Sequence, residues 1–233
     1  KYIIFLLLEK DTNIYNKLKE RIKVEDIRND KYREVINKLY NYYLENSNND
    51  IMSIDNNEYF IDCGAFNGDT IDRISKVKSN KKINVIAFEP DAENYKKLLE
   101  KKDKYKNLII KPYKYGVWSK KETLRFSNNG DVGAKIDSSG ECKIKVINLD
   151  NIEDCHKATF IKMDVEGAEL EALKGAKKII TKNKPKLAIC IYHSDEDMID
   201  IIEYIRNKYP FYKIYVRHHS NVESETVMYC IKK

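Results

Sequence analysis

From residue 59 onward, short apolar runs alternate with segments of helical periodicity. Buried strands are predicted at 59–61, 83–88, 108–117, 160–163 and 187–192, and helices between and after them at 70–77, 92–101, 170–180 and 198–208. Nearly continuous apolar strands that alternate with helices are typical of a parallel sheet covered on both faces. The sequence therefore predicts an α/β fold for this part of the chain.

The last part of the chain has a different pattern. Two strand-like runs, 211–217 and 226–231, are separated only by a short polar loop. With no helix between them, they are predicted to pair as an antiparallel hairpin at the edge of the sheet. Further strand-like pieces at 124–126 and 144–149 flank a polar segment that contains glycine. We expect that segment, 127–141, to contribute to substrate specificity.

Residues 1–54 precede the α/β pattern. An apolar run at 3–8, an amphipathic stretch at 14–22 and a helical pattern at 31–50 predict a strand and helical extension. We therefore divide the chain into an extension, 1–54, and an α/β domain, 55–233. Because the chain begins at Lys1 inside an apolar run, we expect the extension to be the tail of a preceding domain in a longer protein.

Composition narrows the class of protein. The 233 residues are 42% hydrophobic and 11% aromatic, which is typical of an ordered globular protein. The net charge of +6 is spread along the chain, without the basic stripe of a nucleic-acid binder. Five cysteines without a C-x-x-C pair predict reduced thiols and a cytoplasmic protein. No run reaches the length of a membrane span.

Unusual residues cluster where ligands bind in a doubly wound sheet, at the carboxyl ends of the strands. The first strand ends in a loop with Gly64 and Gly68, which permit tight turns and close approach of a ligand. Asp62 is a predicted acceptor for an ammonium group. Glu89 ends the second strand, where a carboxylate binds both ribose hydroxyls of an adenosine cofactor.

A nicotinamide dinucleotide is the chief alternative cofactor. Its site requires G-x-G-x-x-G, so that a pyrophosphate can contact the backbone at the start of the helix. Counting from Gly64, the second and third glycine positions hold Phe66 and Asp69. A bulky ring and a negative charge both oppose a pyrophosphate, so the pattern disfavours this alternative.

The predicted third strand ends beside Trp118, which is a candidate to pack on an adenine and equally a candidate core aromatic. The fourth strand ends at Asp164, with Glu166 and Glu169 opening the next helix, where acidic residues are favoured by the helix dipole alone. His193 follows the fifth strand and is the candidate general base, oriented by Asp164. A metal site formed by Asp164, Glu166 and His193 is an alternative, although we predict no metal.

Four segments together resemble the FkbM family of methyltransferases over about residues 55–233: 61–70, 88–91, 161–169 and 185–193. This resemblance implies a Rossmann-like class I methyltransferase fold, with a seven-stranded, mostly parallel sheet in the order 3-2-1-4-5-7-6 and helices on both faces. It also implies S-adenosyl-L-methionine as cofactor and transfer of its methyl group to a hydroxyl oxygen of a sugar, glycan or natural-product scaffold. The residues predicted to bind the cofactor are Asp62, Gly64, Ala65, Phe66, Gly68, Asp69, Thr70, Glu89, Pro90, Trp118 and Asp164, and those predicted to be catalytic are Asp164, Glu166 and His193.

Two other functions remain as alternatives. The first is a scaffold that binds the cofactor without catalysis, although Asp62, Glu89 and Asp164 are all present. The second is a nucleic-acid methyltransferase. The fourth strand of base-flipping types often ends in a motif like Asn-Pro-Pro-Tyr, whereas 164–167 reads Asp-Val-Glu-Gly here. The carboxylates between 164 and 169 also repel a phosphate backbone, so we predict no nucleic-acid partner.

Overall fold

A computed structural model of the chain describes residues 53–77, 82–127, 135–136, 142–194, 196–219 and 225–233. The predicted extension, 1–54, lies almost entirely outside these ranges, as does most of the segment 127–141. Within these ranges the chain contains two sheets and five α-helices.

Seven strands form the large sheet: β1 (Tyr59–Cys63), β2 (Ile83–Phe88), β3 (Leu108–Tyr113), β8 (Phe160–Met163), β9 (Lys186–Cys190), β10 (Tyr212–His218) and β11 (Thr226–Lys232). Their spatial order is β10-β11-β9-β8-β1-β2-β3. Only β11 runs antiparallel to its neighbours β9 and β10. Counted along the chain within this sheet alone, the strands have the order 3-2-1-4-5-7-6, so the predicted fold is confirmed.

A second sheet lies between β3 and β8 in the chain. It consists of β4 (Gly116–Val117), β5 (Glu122–Ser127), β6 (Lys135–Ile136) and β7 (Cys142–Ile147), in the order β4-β7-β5-β6. The strand predicted over 108–117 is therefore two strands in different sheets. The amide of Tyr115 donates to the carbonyl of Tyr113, which closes a three-residue turn between them. Two 3₁₀ turns, Leu149–Asn151 and Glu153–Lys157, lead into β8.

Five α-helices accompany the sheet: α1 (Asp69–Ile74), α2 (Ala92–Lys101), α3 (Glu169–Gly175), α4 (Lys177–Asn183) and α5 (Asp197–Lys208). Helix α2 begins where predicted, because Asp91 caps it by accepting a hydrogen bond from the amide of Asn94 at 2.8 Å. The single helix predicted at 170–180 is two short helices, since the backbone leaves helical geometry at Ala176. No helix in the described ranges has the length and apolar character needed to cross a membrane.

Both faces of the large sheet are buried. Along β1, Phe60 packs in one apolar cluster and Ile61 in the other, and both side chains are at most 3% exposed. This explains why the strands read as continuous apolar runs rather than as alternating patterns. Among the described residues, Cys63, Cys155, Cys190 and Cys230 are buried free thiols.

A buried ion pair links strands at the end of the sheet opposite the candidate site. The carboxylate of Glu58, 1% exposed, lies 2.7 Å from the ammonium of Lys186 and accepts hydrogen bonds from the amide of Asp55 and the hydroxyl of Thr159. Glu58, Thr159 and Lys186 stand at the starts of β1, β8 and β9. The ion pair therefore fixes these strands relative to one another.

Candidate functional site

The loop after β1 is anchored by backbone contacts. The amides of Gly64 and Ala65 both donate to the carbonyl of Phe88, at 3.0 Å each, so the loop is attached to the end of β2. Gly64 and Gly68 have φ values of 77° and 79°, in the left-handed region that favours glycine. A Cβ on Gly64 would lie 1.8 Å from the carbonyl oxygen of Asp164. Gly64 is therefore required for packing of this loop against the end of β8, a reason that the sequence did not reveal.

Glu89 is held by the backbone on both sides of its carboxylate. The amide of Phe66 donates to Oε2 at 2.8 Å, and the amide of Asp91 donates to Oε1 at 2.9 Å. The residue is 6% exposed, and burial raises the pKa of its carboxyl although these two hydrogen bonds lower it. Each oxygen retains acceptor capacity for one further donor. This carboxylate therefore fits the two adjacent hydroxyls of a ribose.

The other predicted loop residues differ in how far they are exposed to solvent. Ala65 is buried, Thr70 is partly buried, and Asp69 is exposed. Phe66 has a φ of 47° and a ring that is 56% exposed, an uncommon combination for a large side chain. Pro90 lies beside the turn into the second sheet, where a Cβ on Gly116 would be 3.8 Å from its ring.

The carboxylate of Asp62 is completely buried and already has a cationic neighbour. The ammonium of Lys162 lies 3.1 Å from Oδ1 of Asp62 and donates to the carbonyl of Gly64, also at 3.1 Å. Burial disfavours the charged form of Lys162, but Asp62 and Asp164 outweigh it and raise the pKa of this lysine. The contact of Asp62 with a cofactor ammonium remains a prediction, and Lys162 is a site residue that the sequence analysis missed.

Trp118 follows β4 in the second sheet, because β3 ends at Tyr113. Its amide donates to the carbonyl of Ile147 at 2.9 Å. A Cβ on Gly175 would lie 2.0 Å from the Trp118 carbonyl oxygen, so this backbone packs against the end of α3. The prediction that Trp118 lies beside the end of the third strand is thus wrong. Its contact with an adenine remains a prediction.

Four ionisable residues meet at the ends of β8 and β9, and we call Asp164, Glu166, Glu169 and His193 the acceptor-side cluster. Nε2 of His193 lies 3.4 Å from Asp164 Oδ1 and 3.5 Å from Glu166 Oε2. Nδ1 lies 3.0 Å from Glu169 Oε1. The cluster thus brings together all three predicted catalytic residues. It adds Glu169, which we had attributed to the helix dipole alone.

The members of the cluster differ sharply in exposure. The side chains of Glu169 and His193 are 0% and 8% exposed, whereas those of Asp164 and Glu166 are 31% and 46% exposed. The two latter carboxylates therefore face the open side of the site, and the imidazole lies behind them. Glu166 also has a φ of 54°, a backbone conformation that is uncommon outside glycine.

Negative charge is concentrated in this cluster. Three carboxylates surround one imidazole, and the nearest cation by the contacts described is Lys162, 3.8 Å from Asp164 Oδ2. Burial disfavours the charged imidazole, but Glu169, Glu166 and Asp164 outweigh it and raise the pKa of His193. Burial and the neighbouring Glu169 raise the pKa of Asp197 at the start of α5. One oxygen or nitrogen each from Asp164, Glu169 and His193 lie within 4.8 Å of one another, close enough to be considered as metal ligands.

Comparisons with known proteins agree with this fold. A family model described as the methyltransferase FkbM domain matches residues 62–211. Hexuronic acid methyltransferase AglP from Haloferax volcanii is 35% identical over 102 residues, which are 40% of this chain and 41% of that protein. A crystal structure of methyltransferase FkbM from Methylobacillus flagellatus KT matches with a TM-score of 0.63 and 29% identity, over 83% of this chain and 50% of that one. The matches thus span half or less of the length of either relative.

The seven-stranded sheet, with its single antiparallel strand and its carboxylate at the end of β2, defines a Rossmann-like methyltransferase. Since the family model covers more than half of the residues, the chain belongs to the FkbM methyltransferase family. Methyl transfer is the activity that this membership supports.

Proposed function

We propose that this chain uses S-adenosyl-L-methionine to methylate a hydroxyl oxygen of a sugar or glycan. The observation that carries the proposal is Glu89, a buried carboxylate whose two oxygens are aligned by the amides of Phe66 and Asp91. A rigid pair of acceptors at the end of β2 suits two ribose hydroxyls. The loop from Asp62 to Thr70 and Pro90 form the rest of the cofactor side, and Asp164 lies between this loop and the acceptor.

The cofactor supplies a methyl group that is already activated on a sulfonium. The protein must then hold the acceptor oxygen in line with that methyl group, at about 3 Å, and receive the hydroxyl proton. We assign both tasks to the acceptor-side cluster, where Asp164 and Glu166 face the open side. His193, which we expected to be the base from its position in the sequence, is mostly covered by these carboxylates.

The acceptor class is inferred from charge and from the relative. AglP is named as a hexuronic acid methyltransferase, and such a sugar offers both hydroxyl and carboxylate oxygens. Without a bound cation, the three carboxylates in the acceptor-side cluster repel a carboxylate acceptor more than a neutral hydroxyl. We therefore favour the hydroxyl oxygen as the methyl acceptor.

The test is methyl transfer from tritiated S-adenosyl-L-methionine to a panel of hexuronic acids, neutral hexoses and glycans that contain them. We expect labelled product that resists mild alkali, because a methyl ether is stable where a methyl ester is hydrolysed. Asp164→Asn should abolish labelling, while the change Asp103→Asn, at an exposed aspartate just beyond the end of α2, should not. An alkali-labile product would be a methyl ester, which would show that the methyl acceptor is a carboxylate. Cofactor binding without transfer to any member of the panel would favour the scaffold alternative.

A further inference from the structure

Glu169 is a buried carboxylate whose hydrogen-bonding capacity is only half used. The side chain is 0% exposed. Its Oε1 accepts a hydrogen bond from the amide of Val165 at 2.8 Å and also faces Nδ1 of His193. Its Oε2 has no hydrogen-bond partner among the described residues. Burial of a carboxylate oxygen without a hydrogen-bond donor is energetically unfavourable, so we expect Oε2 of Glu169 to bind a ligand.

His193, which faces Glu169, also has polar atoms without hydrogen-bond partners. Its side chain is 8% exposed, and neither ring nitrogen makes a hydrogen bond of good geometry within the described part of the chain. Both nitrogens instead face carboxylate oxygens, at 3.0 to 3.5 Å. The nearby ammonium of Lys162 is paired with Asp62 and reaches Asp164 only at 3.8 Å. Apart from the imidazole of His193, the described residues therefore offer only this distant ammonium to the three carboxylates of the cluster.

We propose that Asp164, Glu169 and His193 bind one divalent transition-metal cation at the open side of the acceptor-side cluster. Their candidate ligand atoms lie within 4.8 Å of one another. At tetrahedral angles, bonds of about 2.0 to 2.2 Å place two ligand atoms about 3.3 to 3.6 Å apart, so the side chains need to approach one another by up to about 1.5 Å. Solvent or substrate completes the coordination, since Asp164 is partly exposed.

The donor set indicates the kind of cation. Two carboxylates and one imidazole suit Mn²⁺, Fe²⁺ or Zn²⁺ better than Ca²⁺, which prefers oxygen ligands alone. The hydrogen bond from the Val165 amide to Glu169 fixes the orientation of that carboxylate, as outer-shell contacts do in metal sites. The set differs from the one that the sequence suggested, because buried Glu169 replaces the more exposed Glu166.

The role of this cation in catalysis rests on the proposed function. A cation that coordinates the acceptor oxygen makes its proton easier to lose. That oxygen then forms a bond to the methyl carbon, the carbon–sulfur bond breaks with its electron pair passing to sulfur, and the hydroxyl proton passes to Glu166. S-adenosylhomocysteine and the methyl ether are the products. In this arrangement His193 is a ligand rather than the base.

The test is calorimetric titration of the chelator-treated chain with MnCl₂, together with electron paramagnetic resonance of the free Mn²⁺. We expect one Mn²⁺ per chain and competition by Zn²⁺ but not by Ca²⁺. Asp164→Asn, Glu169→Gln and His193→Gln should each weaken binding at least about tenfold, since even outer-shell changes cost that much. Glu171→Gln is the matched control, because Glu171 lies on the same helix and pairs with Lys174 instead.

Two results would overturn the inference: no saturable Mn²⁺ binding by the wild-type chain, or unchanged binding in the three folded variants. Circular dichroism checks folding. If Glu169→Gln does not fold, the variants Asp164→Asn and His193→Gln still test whether the metal binds at this site. A separate titration with S-adenosyl-L-methionine in the absence of metal tests the proposed function. Cofactor binding without Mn²⁺ binding rejects the metal site alone.

Discussion

Replacing Glu89 by alanine probes the proposed cofactor site most directly. The wild-type carboxylate is 6% exposed and accepts one backbone hydrogen bond on each oxygen, at 2.8 and 2.9 Å. Its orientation is therefore set before any ligand binds. The variant removes both acceptors that we assign to the ribose hydroxyls and leaves the loop after β1 attached to β2 through the carbonyl of Phe88.

The expected loss follows from the charge of the acceptor. A hydrogen bond to a charged group contributes about 1.5 to 3 kcal/mol, so two of them contribute at least about 3 kcal/mol. That difference weakens binding of S-adenosyl-L-methionine about 100-fold or more. Glu89→Gln keeps one carbonyl oxygen, but its amide cannot accept from both Phe66 and Asp91. We therefore expect this variant to lose about tenfold.

Isothermal titration calorimetry measures the two affinities. Glu100→Ala is the control, because it removes an exposed carboxylate from α2. Thermal unfolding must accompany the titration, since alanine leaves the amides of Phe66 and Asp91 without their acceptor. A folded Glu89→Ala protein that binds S-adenosyl-L-methionine within threefold of wild type would refute the assignment of Glu89 to the ribose.

Three further predictions concern the same framework. Gly64→Ala should lower the free energy of unfolding in urea by at least about 3 kcal/mol, because its Cβ would lie 1.8 Å from the Asp164 carbonyl oxygen. Gly167→Ala is the control. Gly167 also has a positive φ, 88°, but a Cβ there would meet no atom nearer than 3.9 Å, so this variant should lose only about 1 to 2 kcal/mol. Lys186→Met leaves Glu58 buried without its cation and should lower the free energy of unfolding by about 3 kcal/mol in the same assay. The additional change Glu58→Gln should recover part of this loss. Equal stability of wild type and the single variant would contradict the role of the ion pair. Because burial raises the pKa of the Glu89 carboxyl, affinity for S-adenosyl-L-methionine should begin to fall, as pH is lowered, at a higher pH than an exposed glutamate would give, and a flat profile in wild type would count against an ionised Glu89.

Periodicity was sufficient to predict the strands of the large sheet, whereas their spatial order followed from the family resemblance. Its strands are buried on both faces and therefore appear as apolar runs, and Asp91 gives α2 a readable start. The end of β3 was not predictable in the same way. The apolar pattern continues through Tyr113 and Tyr115 into β4, and the turn between them has no glycine or proline at its centre. Only pairing with β7 assigns β4 to another sheet.

The site shows a similar limit. Glu89 and Asp164 were predictable because their positions at strand ends follow directly from the strand pattern. Glu169 was not, because an acidic residue in a first helical turn has an ordinary explanation in the helix dipole. Its complete burial and its contact with Nδ1 of His193 arise from tertiary packing, which brings the start of α3 beside the segment that follows β9. Lys162 was missed for the same reason, since its partner Asp62 belongs to a strand about 100 residues away in sequence.

The packing of Gly64 against the carbonyl of Asp164 has a wider consequence. Contact between main-chain atoms fixes the distance from the loop after β1 to the end of β8, whatever side chains surround them. In the proposed function these two segments flank the reacting atoms, and a misplacement of about 1 Å costs roughly 100-fold in rate. Side chains around the acceptor can therefore diversify during evolution without changing the alignment of the reacting atoms.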